Sequence, residues 1–173
     1  ERTSAVKYND DTLRLIWIGA VNERKALVIL HDALSQVRSK NWHLDVLGDG
    51  DQRQNLQGKF STLNQNITWH GMVDRTSVQE VLLQSHLHVI SSLGEGNTTI
   101  LWEAFGKAIP TLTLDHCGMA GVVCEKCGIK NPIHSYKQVV SDIASKIEDI
   151  LEHPSIIEKL SSGALECSKK FMW

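Results

Sequence analysis

The sequence has 173 residues, 42% of them hydrophobic, and 18 Lys and Arg against 20 Asp and Glu give a formal net charge of −2. That length is enough for one domain with a sizeable core. The basic residues are scattered among acids rather than gathered in a stripe, which argues against a nucleic-acid surface, and no run of about 18 apolar residues reaches the length of a membrane span.

The chain opens on a polar segment, residues 1–12, that reads as a linker or a boundary and does not begin with Met, so the domain is expected to come from a longer protein. From Leu13 to Ile18 the residues alternate and then turn apolar, which predicts a first strand closed by Gly19. Ala26, Leu30, Ala33, Leu34 and Val37 give helical spacing between Lys25 and Lys40. A second strand runs from Trp42 to Gly48-Asp49-Gly50, followed by a polar amphipathic helix from Asp51 to Leu63. Asn66 to Gly71 is a third strand, and Val73 to Ser85 a helix capped by Asp74 or Ser77. The fourth strand, Leu87 to Ile90, leads into Ser91-Ser92-Leu93-Gly94-Glu95-Gly96-Asn97 and then a helical run in which Ile100, Leu101, Ala104, Phe105 and Ala108 share a face.

Beyond it come a fifth strand, Ile109 to Leu114, a loop with a short helical turn over residues 115–123, and a brief sixth strand at Gly128 to Lys130. A strongly periodic helix spans Tyr136 to Leu151, and Pro154 opens the last one. Strands alternating with helices predict an α/β fold, a Rossmann-like, doubly wound parallel sheet of about six strands. Such a sheet binds ligands at the C-terminal ends of its strands, where the polar loops of this chain fall.

Two features carry chemistry. Cys124-Glu125-Lys126-Cys127 is a C-x-x-C, but no second paired set of ligands follows, so the four cysteines read as small buried hydrophobes in a reducing compartment and no metal is expected. The sharper signal is the stretch after the fourth strand. Glu95 and Glu103 are separated by seven residues and flank a glycine turn that enters a helix. The first N–H groups of a helix lack internal partners and suit a phosphate, while the carboxylates suit hydroxyl-rich groups on either side.

With these elements placed, the sequence from about Leu13 to Trp173 resembles the C-terminal, donor-binding half of a retaining glycosyltransferase of the GT-B fold, family 4 (glycosyl transferases group 1). The E-x7-E pair Glu95 and Glu103, the following Gly106-Lys107-Ala108-Ile109-Pro110-Thr111, Gly48-Asp49-Gly50 and His70-Gly71-Met72 carry the resemblance. It implies a nucleotide-diphospho-sugar donor, a saccharide or lipid-linked acceptor held by an N-terminal domain outside this chain, and no cofactor. It implies a cytoplasmic setting, with any membrane contact made through the missing half. The fragment alone is then expected to bind donor weakly and to transfer little or nothing.

Residue by residue, the resemblance assigns Glu103 to the ribose hydroxyls and Glu95 to the donor sugar, as a positioning or electrostatic group. Gly96, Asn97, Thr98, Thr99 and Ile100 match the pyrophosphate turn, and Lys25 matches a lysine that neutralises the phosphates. The catalytic expectation therefore falls on Glu95 and Lys25. Met72 and Val73 match the segment facing the nucleobase. The family usually has arginine directly after the strand-one glycine, Gly19, where this sequence has Ala20. Either Arg24 supplies the charge, or pyrophosphate binding is weaker, or the charge comes from the missing half. A non-catalytic nucleotide-sugar-binding or regulatory module is the alternative that Ala20 supports. A dinucleotide-dependent oxidoreductase ranks low, because Gly19-Ala20-Val21-Asn22 stands where a G-x-G-x-x-G would be needed. A sugar-nucleotide epimerase of similar architecture is a further enzyme reading.

Overall fold

The computed structural model describes residues 4–6, 8, 12–63, 66–95 and 98–170. Six parallel strands form one sheet: β1 (Leu13–Ile18), β2 (Trp42–Leu47), β3 (Ile67–Gly71), β4 (Leu87–Ile90), β5 (Thr111–Leu114) and β6 (Gly128–Asn131). Their spatial order is β3-β2-β1-β4-β5-β6. The order reverses between β1 and β4, so the crevice of this sheet opens at the ends of those two strands. In register, Leu13 to Ile18 pair with Trp42 to Leu47, and Leu15 pairs with Leu87 on the other side.

The helices are α1 (Leu27–Gln36), α2 (Arg53–Phe60), α3 (Arg75–Gln84), α4 (Thr99–Gly106), α5 (Cys117–Val122), α6 (Tyr136–Glu152) and α7 (Ser155–Lys169). Strand residues Leu13, Leu15, Trp17, Trp42, Leu44 and Leu112 are buried in a core that also takes in Leu30 and Leu34 of α1 and Ile143 and Ile147 of α6. A second cluster joins Leu101 and Phe105 of α4 to Ala164 and Cys167 of α7. Two residues of the segment read as a linker are buried as well: Val6 and Tyr8 pack on the core, and the Val6 N–H donates to Ser161 Oγ on α7 at 2.6 Å.

The expected elements are present, with small shifts at several boundaries, β5 beginning at Thr111 rather than Ile109 among them. The helix expected from Lys25 starts at Leu27, because Ala26 takes a left-handed conformation (φ 47°) that ends the preceding turn. The helix expected over 51–63 divides into α2 and a 3-10 turn at Ser61–Leu63, a common way to tighten a last turn. Of the two candidate caps for α3, Asp74 is the one used, its carboxylate accepting from Ser77 N–H at 2.8 Å.

The strand ends are stitched tightly. Gly19 N–H donates to Leu47 O at 3.0 Å and Gly48 N–H to Gly71 O at 2.8 Å. Gly48 has φ 130°, and a Cβ there would sit 1.8 Å from the Gly19 carbonyl oxygen. Only glycine fits such an approach. Under the crevice, β4 carries His88, fully buried, with Nδ1 3.4 Å from Thr111 Oγ1 and Nε2 without a hydrogen-bond partner. Burial first, and the nearby Lys25 cation second, push its pKa down from 6.5 to about 4.

Two outcomes follow. Gly48→Ala is expected to destabilise the fold by about 3 kcal/mol, from clash and backbone strain together, readable in urea denaturation. His88 is neutral in the folded chain, whereas the unfolded chain binds its proton below the ordinary value. Its contribution therefore makes stability rise with pH between about 4 and 6.5. His88→Leu is expected to flatten that slope in denaturation curves taken across the interval; an unchanged slope would assign it to other groups.

Candidate functional site

The site is built where the β1–α1 loop meets the turn after β4. Ser91 Oγ donates to the Lys25 carbonyl at 3.0 Å, Ser92 Oγ to the Arg24 carbonyl at 3.1 Å, and Leu93 N–H to the same Arg24 carbonyl at 2.9 Å. Trp17 Nε1 donates to Ser91 Oγ at 3.0 Å and fixes its rotamer from inside the sheet. Arg24 closes the seam from the loop side, its Nη1 donating to Gly94 O at 2.6 Å. Ser91, Ser92 and Trp17 were not legible as site residues from the sequence. The only signal was a pair of hydroxyls placed directly after the short strand Leu87 to Ile90.

This seam brings Lys25 and Glu95 together. Lys25 Nζ and Glu95 Oε1 form an ion pair, with side-chain exposures of only 18% and 9%. Gly19 lies beneath the lysine stem, and a Cβ there would come 3.4 Å from Lys25 Cδ. The backbone of Glu95 is held in turn, its carbonyl accepting from Gly118 N–H at 3.0 Å at the start of α5.

Thr98 is the N-cap of α4, its Oγ1 accepting from Leu101 N–H at 3.3 Å. Its own O–H stays available as a donor. Thr99 and Ile100 open the helix, so their N–H groups belong to the set that a helix leaves without internal acceptors. Gly96 and Asn97 lie outside the described residues.

Glu103, one helix face further on, is half-buried and anchored from α3. Arg75 Nη2 reaches its Oε1 at 2.8 Å, and Gln79 Nε2 donates to its Oε2. A carboxylate has about four lone-pair sites, so each oxygen keeps one for a further donor. That geometry can accept from two neighbouring hydroxyls.

Between the ends of β1, β2 and β3 lies an apolar cleft of about 270 Å³, lined by Gly19, Ala20, Leu47, Met72, Val73 and Val78 among others. It is smaller than the ~300–1,000 Å³ of pockets for whole drug-sized ligands, so it fits one flat part of a larger molecule. Met72 stands at its rim, 79% exposed. Ala20 lines the cleft without contributing charge, while Arg24 is tied to Gly94. The sheet edge thus offers an apolar slot, a lysine paired to a glutamate, a helix N-terminus and a second glutamate.

His70 and His116 sit outside this group of contacts. His70 Nε2 hydrogen-bonds Asp45 Oδ1 at 2.8 Å, and His116 is an exposed residue at the N-cap of α5. Burial works to raise the Asp45 pKa, but hydrogen bonds from His43 and His70 outweigh it and hold the carboxyl below its usual value.

No match to a curated protein sequence was found. Among solved structures, the chain superposes on the pneumococcal O-GlcNAc transferase GtfA in complex with UDP and GlcNAc with a TM-score of 0.82 at 17% identity, covering 98% of this chain and 35% of that one. It matches the catalytic domain of cholesterol-alpha-glucosyltransferase from Helicobacter pylori with a TM-score of 0.81 at 16% identity, covering 92% of this chain and 99% of that one. Anabaena Alr3699/HepE in complex with UDP-glucose matches with a TM-score of 0.80 at 17% identity, over 92% and 44% of the two chains. At such identities the likeness speaks for the fold, a Rossmann-like α/β domain of the kind found in GT-B glycosyltransferases. The chain spans about a third of the length of GtfA and under half that of HepE. The family model described as glycosyl transferases group 1 matches residues 12–153, which takes in β1 through α6 and every residue of the site described above. The chain belongs to the glycosyl transferases group 1 family.

Proposed function

We propose that this chain is the donor-binding domain of a retaining family 4 glycosyltransferase, and that its ligand is a nucleotide-diphospho-sugar. The observation that carries the reading is the succession along one sheet edge: apolar slot, Lys25–Glu95 pair, α4 N-terminus and Glu103. UDP-sugars are the first candidates, since GtfA and HepE were both captured with UDP or a UDP-sugar.

The base enters the slot beside Met72 and Val73. Glu103 accepts from the ribose hydroxyls with the lone pairs that Arg75 and Gln79 leave over. The diphosphate lies over Gly19 against Lys25 and the N–H groups of Thr99 and Ile100. Glu95 then faces the sugar. When the bond between the anomeric carbon and the diphosphate oxygen breaks, negative charge grows on the leaving diphosphate. Lys25 and the helix N-terminus are fixed donors aimed at that charge, the arrangement that lowers such a barrier most. Glu95, freed from Lys25 by the incoming phosphate, stabilises positive character at the sugar. The acceptor and its binding groups come from a further domain, so the isolated chain binds donor and transfers little.

A non-catalytic nucleotide-sugar-binding module is the second reading, favoured by the uncharged Ala20 in the cleft wall. Donor hydrolysis or transfer by the chain joined to its acceptor domain separates the two.

Calorimetric titration with UDP-, GDP- and ADP-sugars tests the proposal, with heat of binding expected for at least one base. Glu103→Ala is expected to cost about 1–3 kcal/mol of nucleotide affinity, through lost charge-assisted hydrogen bonds; unchanged binding would remove the ribose assignment. Glu95→Gln is expected to tighten binding of the bare nucleoside diphosphate by about 0.5–1 kcal/mol, because Lys25 loses its competing anion. Lys25→Ala is expected to weaken that binding. Equal affinities for the three proteins would place the diphosphate elsewhere.

A further inference from the structure

Away from the sheet edge, three thiols converge. Cys124 and Cys127 flank the turn that leads into β6, and Cys167 lies on α7. Cys124 Sγ is 3.4 Å from Cys127 Sγ and 3.7 Å from Cys167 Sγ, and all three sulfurs lie within 4.8 Å of one another. Zinc–sulfur bonds of about 2.3 Å at the tetrahedral angle place sulfurs about 3.8 Å apart, so the cluster already has nearly that spacing.

The backbone is arranged to match. Cys124 N–H donates to Cys127 Sγ at 3.2 Å, and Cys127 and Gly128 N–H groups both donate to the Cys124 carbonyl at 3.0 Å. This tight turn aims an N–H dipole at the Cys127 sulfur. Gly163 holds the turn against α7: a Cβ at that position would be 1.8 Å from the Lys126 carbonyl oxygen. One helical turn later, Cys167 therefore faces the same loop. Among the described residues no fourth Cys, His, Asp or Glu joins the three, and Cys124 is exposed, so the remaining position faces solvent.

The geometry points to a soft divalent metal site, a zinc ion held by the thiolates of Cys124, Cys127 and Cys167 with water as fourth ligand. The bound ion clips α7 to the turn before β6. Binding replaces three S–H bonds with three metal–sulfur bonds and releases the thiol protons to solvent. The sequence alone showed a C-x-x-C without its partners. The third sulfur lies 40 positions further on and is supplied by packing.

The test uses the whole chain, purified with a phosphine reductant and titrated with Co2+. One equivalent is expected to give an intense thiolate-to-cobalt band in the near ultraviolet together with the visible bands of a tetrahedral site. Zn2+ is expected to displace the cobalt and to raise the Tm of the wild-type chain. Cys124→Ser, at an exposed position, and Cys167→Ser are each expected to weaken Co2+ binding by about tenfold or more. Cys117→Ser, outside the cluster, is expected to leave it unchanged. Absence of the band in the folded, reduced wild type would overturn the site. So would wild-type affinity in Cys167→Ser, or a chain that forms a Cys124–Cys127 disulfide in air and binds no metal after reduction.

Discussion

The crevice depends on a single seam of hydrogen bonds between two loops that are far apart in sequence. The carbonyls of Arg24 and Lys25 belong to a turn that ends in a left-handed residue, so the helix that follows cannot supply their donors. Ser91, Ser92 and Leu93 supply them instead. Carbonyls left unsatisfied there would each cost about 1–3 kcal/mol, which makes the seam strongly specified. It falls at the reversal of strand order, where β1 and β4 are neighbours and their outgoing loops have no strand between them. Lys25 is placed by one loop and Glu95 by the other, so the ion pair follows from the seam.

The sheet was legible because each of the first three strands ends in a glycine that the structure uses, Gly19, Gly48 and Gly71, to bring strand ends close together. The helices were legible from their apolar spacing. What escaped the sequence was long-range or conformational. Ala26 carries no mark of a left-handed backbone, which glycine would have given, so α1 was expected two residues early. Arg75 and Gln79 meet Glu103 across two helices that no local pattern connects. Cys167 joins Cys124 only because a glycine on α7 lets the helix settle against a loop.

The two sides of the crevice obey different physics. The slot beside Met72 and Val73 is apolar and preformed, so a ring entering it gains mainly from desolvation. The Lys25–Glu95 side is an ion pair already taken out of water, whose desolvation is spent before any ligand arrives. On the proposed reading, a diphosphate there would exchange one anionic partner of the lysine for another. Glu103 sits between these regimes, held by two donors yet with lone pairs to spare.

The internal pairing of Lys25 also bears on the rate of encounter. A cleft with an unpaired cation would draw a polyanion from a distance and speed association at low ionic strength. Here Lys25 is neutralised by its own neighbour, and the chain carries a formal net charge of −2. On the proposed reading, an anionic donor would therefore draw little steering from Lys25, whose charge becomes available to it only once the glutamate is displaced.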